Sequence, residues 1–423
     1  MAQVLKPPGR AHSAAARGAM AGIMSAPLAR PILGTMTFGA EGQVTQEAAG
    51  VLLRSFVGSG CANSSAGVVM IDTARIYQQA TPDGDTESTL GEIFASSPSL
   101  QRRVGVATKA NPSMAPHFSL SRDSVVSQCE TSLEKLGLDS VDLFYLHSPD
   151  PKTDIEDTLS GVEHLHAQGK FVEFGLSNYP AWAVADTWHR CKSRGMVLPT
   201  VYQGMYNVIT RSIEPEMFAV ARHLGLRLYV YNPLAGGLLT GRYSSMEDVT
   251  SSAEGRFSSQ FDRAFGDQFK AGTELYRKRY SKQALFDALE FLRCGILAAY
   301  GGDKRGAEGS PAVVEERTSV VNGVRVRLQV TETAAAPETD KAPTMGNIAL
   351  RWLLHHSLLR EGDGIILGVS KSEHLVANLA AWQGGPLPPS LVDACEVAWE
   401  AARSACDPYF RGYGARPAAA AAE

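Results

Sequence analysis

Residues 103–110, RVGVATKA, and residues 141–147, VDLFYLH, are two short apolar runs separated by an amphipathic segment, and this unit decides the fold. In the segment between them, apolar residues recur at helical spacing from Val125 to Leu136, and Gly137 supplies a helix stop. Short apolar runs rich in β-branched residues are typical of parallel strands buried on both faces. The unit therefore predicts a strand, a helix and a strand in succession.

Six further apolar runs of the same kind occur along the chain, so that eight are present in all. They are PILGTMTFG, GVVMIDTA, FVEFGLSN, TVYQGMYN, LRLYVYNPL and GIILGVS. Eight alternations of strand and helix predict an α/β fold of the (β/α)8 TIM barrel type. The main alternative is an open doubly wound sheet, which would require a GxGxxG turn after an early strand, and the sequence contains none.

The barrel is predicted to span residues 31–411, with a surface insertion between strands seven and eight at about 301–341. The insertion is charged and rich in Gly, Ala and Pro, and alternating apolar residues around Asn322-Gly323 predict a small hairpin within it. Residues 1–30 are poor in acids, which predicts either a disordered extension or an organelle transit peptide. Residues 412–423 are predicted to form a disordered tail.

Composition excludes several classes of protein. The 423 residues are 44% hydrophobic and carry a net charge of −4, with no basic patch for nucleic acid. No apolar run approaches the roughly 20 residues that span a membrane. The six cysteines show no metal-ligand spacing, which predicts reduced thiols and no metal site. We expect a soluble cytoplasmic protein, with a plastid or mitochondrial location as the alternative if the N-terminal extension is a transit peptide.

Polar residues stand at or just past the ends of three of the predicted strands. Asp72 and Lys109 close two of them, Tyr77 follows Asp72 by five residues, and His147 ends a third. In a parallel barrel all strand ends of this kind meet at one face, so the four side chains are expected to converge. Taken singly, each residue has an ordinary structural explanation, such as a core histidine or a structural salt bridge.

Together the four residue types suit the reduction of a carbonyl group. Hydride transfer leaves negative charge on the carbonyl oxygen, and a tyrosine such as Tyr77 can donate the proton that neutralises it. The pKa of a free phenol, near 10, is high for this task, and a neighbouring cation lowers it. Lys109 is the candidate cation and Asp72 the carboxylate that keeps it charged, while His147 would hydrogen-bond the carbonyl oxygen.

The chain also resembles a known family. DTARIY, ATKANP, VDLFYLHSPD, FGLSNY, VYQGMYN and YNPLAGGLLTGRY are similar in order and spacing to segments of the aldo-keto reductases, and most similar to the aflatoxin-aldehyde and succinic-semialdehyde reductase subfamily. The resemblance runs from about Pro31 to Arg411. It implies that Asp72, Tyr77, Lys109 and His147 are the catalytic residues, with Tyr77 as proton donor.

The same resemblance implies NADPH as the cofactor, bound across the strand ends without a Rossmann fold. Ser177, Asn178 and Gln203 would bind the nicotinamide carboxamide, and Tyr231 would stack on the nicotinamide ring. The turn that follows strand seven would cover the pyrophosphate, because its glycines allow close backbone approach and its arginine can pair with phosphate. The residues assigned to this cover are Asn232, Pro233, Leu234, Gly236, Gly237, Leu239, Gly241, Arg242 and Arg256.

The segment after strand eight, GVSKSEHLVANL, begins a helix whose N-terminus suits a phosphate group. By resemblance it would bind the adenosine 2′-phosphate, with Asn378 near the adenine, and the residues assigned to it are Gly368, Ser370, Lys371, His374 and Asn378. His374 stands where relatives usually carry Gln or Arg, which leaves the strength of the preference for NADPH over NADH open. A cation at Lys371 favours NADPH.

Substrate binding is assigned to His147, Tyr276, Arg279 and Arg411. Two arginines at the mouth of an otherwise apolar pocket suit an aldehyde that bears a carboxylate. The alternative for Arg279 is a solvated helix face, since the run RKR is charged.

The sequence thus predicts a detoxifying, NADPH-dependent reductase of aromatic aldehydes, dicarbonyls and succinic semialdehyde, with a homodimer implied by the subfamily. The alternatives are an NADPH-binding sensor similar to potassium-channel β subunits, or a reductase of another carbonyl such as a sugar or pyridoxal.

Overall fold

The strands of the computed structural model confirm the predicted barrel. The structure describes residues 29–39, 44–60, 67–77, 85–112, 118–253, 255–258, 271–300, 315–321, 324–330 and 342–412. In chain order the strands are β1 (Arg30–Gly34), β2 (Val69–Asp72), β3 (Val104–Ala110), β4 (Val141–Leu146), β5 (Phe171–Ser177), β6 (Pro199–Met205), β7 (Arg227–Tyr231), β8 (Glu315–Val321), β9 (Val324–Val330) and β10 (Gly364–Gly368). All but β8 and β9 pair in parallel and close in the order β1-β10-β7-β6-β5-β4-β3-β2.

Helices connect the strands and surround them. They are α1 (Gln46–Gly58), α2 (Thr86–Ser96), α3 (Pro98–Gln101), α4 (Arg122–Leu136), α5 (Ile155–Ala167), α6 (Ala181–Arg194), α7 (Met217–Leu224), α8 (Met246–Thr250), α9 (Ala271–Tyr280), α10 (Gln283–Tyr300), α11 (Met345–His355), α12 (Ser372–Leu379) and α13 (Pro389–Ala402). Within the described residues, no helix combines the length and the apolar character needed to cross a membrane.

The extra elements between β7 and β10 include the predicted hairpin. Strands β8 and β9 pair in antiparallel register, with Val321 opposite Val324, and form a separate two-stranded sheet. The helices α8, α9 and α10 precede this hairpin and lie in the same connection. The predictions made for the N-terminal extension up to residue 28, for the turn at Asn322-Gly323 and for the tail beyond residue 412 lie outside the described residues.

The barrel interior is filled by side chains, so the barrel is a packed core and its open face is at the strand ends. Ile32, Ala107, Leu143, Tyr145, Val201, Tyr229 and Ile366 form this inner cluster. Tyr145 needs space that only glycine leaves, because a Cβ at Gly175 would lie 2.4 Å from its ring. A much larger apolar cluster lies between the strands and the surrounding helices.

Strand register brings the polar residues to the open face. Asp72 is the last residue of β2 and is paired with Ala107 of β3, so that Lys109 extends two residues past it on the same inward face. The backbone N–H of His147 donates to the carbonyl oxygen of Ala110 at 2.8 Å, which continues the pairing of β3 and β4 beyond the last residue of β4. The barrel therefore brings together, at its open face, the residues that stand at strand ends in the sequence.

Candidate active site

Lys109 is the centre of the candidate site. Its Nζ donates to Oδ2 of Asp72 at 2.7 Å, to the carbonyl oxygen of Thr73 at 2.6 Å, and to the phenolic oxygen of Tyr77 at 3.4 Å. Lys109 is fully buried and Asp72 is nearly so. The three hydrogen bonds account for all three ammonium hydrogens, so the side chain is held in one position.

Asp72 is held from its other side by Gln203. The side-chain Nε2 of Gln203 donates to Oδ1 of Asp72 at 2.8 Å, so both carboxylate oxygens accept a hydrogen bond. Gln203 is predicted to bind a nicotinamide carboxamide, and in the structure its amide nitrogen is already engaged by the carboxylate of Asp72. Its Oε1 is the atom with which that predicted role can still be performed.

The pKa values of Lys109 and Tyr77 are set by burial and by the charged groups beside them. Burial alone would lower the pKa of Lys109, but the Asp72 carboxylate more than offsets it, so this pKa is raised. Burial raises the pKa of Tyr77 above 10.0, and the nearby Lys109 ammonium only partly opposes the rise. The residue pattern in the sequence predicts a lowered pKa for this phenol. The structure gives the opposite net direction, because the cost of desolvating a phenolate outweighs the attraction of the cation.

His147 lies against Tyr77, and the two rings meet edge to face with centroids 5.9 Å apart. Burial, the positive charge of Lys109 and that of Arg411 all lower the pKa of His147 well below 6.5. The imidazole is therefore neutral at neutral pH.

The Nδ1 of His147 lies 3.1 Å from the side-chain nitrogen of Asn111, a residue that was not predicted to belong to the site. The position of Asn111 in the sequence could have indicated this role, because it follows Lys109 by two residues at the end of β3.

A second hydrogen-bonded group joins the ends of β4, β5 and β7. The side-chain amide of Asn178 donates to the carbonyl oxygen of His147 at 2.8 Å, and its Oδ1 accepts from the phenol of Tyr231 at 2.7 Å. The backbone N–H of Arg411 donates to the carbonyl oxygen of Asn178 at 2.9 Å. The C-terminal segment is thereby bound to Asn178, one of the residues predicted to bind the nicotinamide.

A cleft of about 1490 Å³ opens above these residues. Most of the predicted site residues line it, namely Asp72, Tyr77, His147, Asn178, Gln203, Tyr231, Asn232, Pro233, Leu234, Gly236, Gly237, Gly241, Arg242, Arg256, Gly368, Ser370, Lys371, His374, Asn378, Tyr276, Arg279 and Arg411. Three of them do not. Lys109, Ser177 and Leu239 are fully buried behind the cleft wall, so Ser177 and Leu239 can act only through neighbours or backbone atoms.

The glycine-rich turn after β7 lines this cleft with exposed backbone. Gly236 and Gly237 have φ values of 69° and 106°, and Ala235 also has a positive φ of 50°. This left-handed conformation favours glycine, and it turns the chain tightly without side chains that would keep a ligand at a distance. The Tyr276 ring packs over the turn, since a Cβ at Gly236 would lie 3.0 Å from it.

Two arginines lie close to the ring of Tyr276. The guanidinium of Arg256 lies 5.7 Å from the ring centroid of Tyr276, and that of Arg279 lies 6.0 Å from it. Burial alone would raise the pKa of Tyr276, but Arg256 and Arg279 together lower it. The structure thus brings the predicted cofactor residue Arg256 and the predicted substrate residue Arg279 to the same aromatic ring. Arg279 is only 8% exposed, so it does not belong to the solvated helix face that was the alternative.

Comparison with known proteins identifies a matching family and several relatives. The model of the Aldo/keto reductase family matches residues 32–400. Aflatoxin B1 aldehyde reductase member 2 of Homo sapiens is 41% identical over 387 residues, which are 91% of this chain and 90% of that relative. Aflatoxin B1 aldehyde reductase member 4 of Homo sapiens is 41% identical over 386 residues, 90% of this chain and 98% of the relative. An aldo-keto reductase of Pseudocercospora fijiensis is 34% identical over 346 residues, 80% of this chain and 96% of the relative.

The closed parallel barrel and the family match together define an oxidoreductase that reduces carbonyl groups with a nicotinamide cofactor. The chain belongs to the aldo/keto reductase family. The resemblance stated from its motifs is therefore confirmed.

Proposed function

We propose that this chain reduces aldehydes to alcohols with NADPH as the cofactor and Tyr77 as the proton donor. The observation that carries the proposal is the position of Lys109, whose single buried ammonium group contacts both Asp72 and Tyr77. A structural salt bridge needs no phenol at its edge, whereas a proton donor needs a cation beside it. His147 lies against the same phenol, within the cleft.

The cleft residues fit a dinucleotide phosphate. Arg242, Arg256 and Lys371 line it as cations, and the left-handed turn at Gly236 and Gly237 allows close approach of a pyrophosphate. Its volume exceeds the roughly 300–1,000 Å³ of an ordinary small-molecule pocket, which leaves room for substrate beside a dinucleotide. When bound, NADPH supplies the hydride. The cation at Lys371, beside the N-terminus of α12, is the feature that favours a 2′-phosphate.

The protein residues supply the proton and stabilise charge. His147 donates a hydrogen bond to the carbonyl oxygen and orients it, while the phenol of Tyr77 passes its proton to the alkoxide that forms. Burial raises the pKa of Tyr77, so the phenol is fully protonated at neutral pH, as a donor must be. Lys109 then stabilises the phenolate that remains, and Asp72 keeps Lys109 charged.

We further propose that an aldehyde with a carboxylate is among the preferred substrates. Among the described residues, the Nε and Nη1 of Arg279 have no hydrogen-bond partner although both are buried, and Arg279 lines the cleft. Buried donors are normally satisfied, so two unsatisfied donors on an arginine of the cleft wall favour a ligand with acceptor oxygens. Among the described residues, Arg279 pairs with Asp407, whose Oδ2 lies 3.7 Å from Nε, which is an ion pair beyond hydrogen-bond length. Succinic semialdehyde has the required carboxylate.

The test is the loss of NADPH absorbance with the purified protein, comparing succinic semialdehyde with butanal, an uncharged aldehyde of the same length. Faster turnover of the carboxylated aldehyde supports both the reaction and the arginine anchor. Equal rates retain the reductase but remove the carboxylate preference. Tight NADPH binding without turnover of any aldehyde would contradict the proposed reaction and favour a cofactor-sensing protein.

A further inference from the structure

Asn111 and His147 are neighbours across the ends of β3 and β4. The pairing of the two strands brings Ala110 opposite Leu146, and Asn111 and His147 directly follow the ends of these strands. Asn111 is 8% exposed and is held by its backbone, whose N–H donates to Oε1 of Gln128 on α4 at 2.8 Å. Gln128 is itself fixed, because its amide donates to the carbonyl oxygen of Ser119 at 3.1 Å. The amide side chain of Asn111 is thus presented from a rigid support.

The atom that Asn111 presents to His147 is its side-chain nitrogen. Nδ2 lies 3.1 Å from Nδ1 of the imidazole, and an amide nitrogen can only donate. The ring nitrogen that receives this hydrogen bond must carry no proton. In a neutral imidazole the single ring proton then resides on Nε2. Among the described residues, no group is hydrogen-bonded to that Nε2, and His147 lines the cleft.

We propose that Asn111 is a positioning residue for His147, which acts by confining the imidazole proton to Nε2, the nitrogen left free to donate to the substrate carbonyl. This inference rests on the proposed reduction, because only a carbonyl acceptor gives the tautomer a consequence. If the proton were on Nδ1, Nε2 would present a lone pair to the carbonyl oxygen. The imidazole would then repel this oxygen and could not orient it by a hydrogen bond.

The charged groups around His147 favour the neutral ring on which this tautomer choice depends. Tyr77 faces it from the loop after β2, Lys109 from β3 and Arg411 from the C-terminal segment, and Lys109 is in turn paired with Asp72. Both cations disfavour a second positive charge on the imidazole. A neutral histidine can use only one nitrogen as a donor, so the protein must determine which one.

The direct test is ¹⁵N NMR of protein labelled at histidine, at neutral pH. The chain has ten histidines, and the signals of His147 are those lost in His147→Gln. The account predicts an unprotonated Nδ1 and a protonated Nε2, and loss of this fixed pattern in Asn111→Leu. A protonated Nδ1 in the wild-type protein would overturn the proposal. The measurement requires no aldehyde, so its result is independent of whether the proposed reaction occurs.

A kinetic pair of variants tests the consequence. Asn111→Asp keeps the size of the side chain but offers only acceptor oxygens, so it moves the proton to Nδ1 and raises the pKa of His147. Above that new pKa the neutral ring lacks an Nε2 donor, and we expect kcat to fall by about 100-fold. Below it the imidazolium carries protons on both nitrogens, so activity should recover in acid. Asn111→Leu should lose less and show no such pH dependence, with NADPH binding unchanged in both. The same pH-independent loss in both variants would show that Asn111 only supports the fold.

Discussion

The ammonium nitrogen of Lys109 lies 2.7 Å from Oδ2 of Asp72, and both side chains are withdrawn from solvent inside the rim of the barrel. The attraction between them raises the pKa of Lys109 in spite of burial, so the lysine holds its charge in a partly dry site. A charge that is fixed in place before substrate arrives costs no reorganisation during the reaction. Removal of one member of this buried pair should therefore lower the free energy of unfolding.

Replacement of Lys109 by Met should destabilise the protein and abolish reduction. The variant leaves the Asp72 carboxylate buried without its cation, which costs about 3–5 kcal/mol of unfolding free energy. Urea unfolding followed by circular dichroism measures this loss. The matched control is the double variant Asp72→Asn with Lys109→Met, which should recover much of the stability and none of the activity. Recovery of turnover in the double variant would contradict a catalytic role for the pair.

The rate of aldehyde reduction should be constant through neutral pH and fall only in alkali. The proton donor must be protonated, and burial raises the pKa of Tyr77 above 10.0, so the donor is lost only as pH rises through that raised value. His147 stays neutral down to acid pH because its pKa is lowered. A pH profile of kcat/KM measures the alkaline limit and the constant rate below it. A decline centred near neutrality would mean that another group donates the proton.

Glu87 should make the protein less stable as pH rises from about 5 to about 8. Burial raises the pKa of this carboxyl from 4.5 to about 7, partly opposed by hydrogen bonds from Thr108 and Ser132. At a pH between these two pKa values, Glu87 is ionised in the unfolded chain and protonated in the native protein. The free energy of unfolding therefore falls by about 3 kcal/mol as pH rises through this range. Glu87→Gln should lack this decline when unfolding free energy is measured at both pH values. Parallel curves for the variant and the wild-type protein would contradict the buried, protonated carboxyl.

Arg279→Gln should lower kcat/KM for succinic semialdehyde by about 10- to 100-fold and leave butanal reduction unchanged, because charged hydrogen bonds contribute roughly 1.5–3 kcal/mol. Arg411→Gln should have the smaller effect. Arg411 is exposed, and its hydrogen bond to Asn178 is made by the backbone N–H, which the glutamine variant keeps. An equal loss with butanal in Arg279→Gln would indicate a structural role for this arginine.

The fold was predictable because its determinants are local and repeated. Strands buried on both faces have continuous apolar runs, and their number and alternation with helices leave few architectures open. The positions of Asp72, Lys109 and His147 followed from the same rule, since all three stand at strand ends. The antiparallel hairpin of β8 and β9 was likewise visible in the alternation of Val324, Val326 and Leu328.

What the sequence could not give was the balance of forces among residues brought together by the fold. The net pKa of Tyr77 depends on how deeply it is buried against Lys109, and no spacing reveals that. The bond from Gln203 to Asp72 joins residues 131 positions apart, and the tie from Arg411 to Asn178 also crosses the barrel face. Asn111 was overlooked because an asparagine after a strand is an ordinary way to end one.

The most direct test of the central claim is NADPH oxidation by Tyr77→Phe beside NADPH binding by the same variant. The substitution removes one oxygen that contacts Lys109 at 3.4 Å and keeps the ring that packs against His147. The account predicts that kcat with succinic semialdehyde falls by at least about 100-fold, since general acid catalysis contributes about that much or more. NADPH fluorescence titration should give the same Kd as for the wild-type protein. Turnover retained near the wild-type rate would contradict Tyr77 as the proton donor.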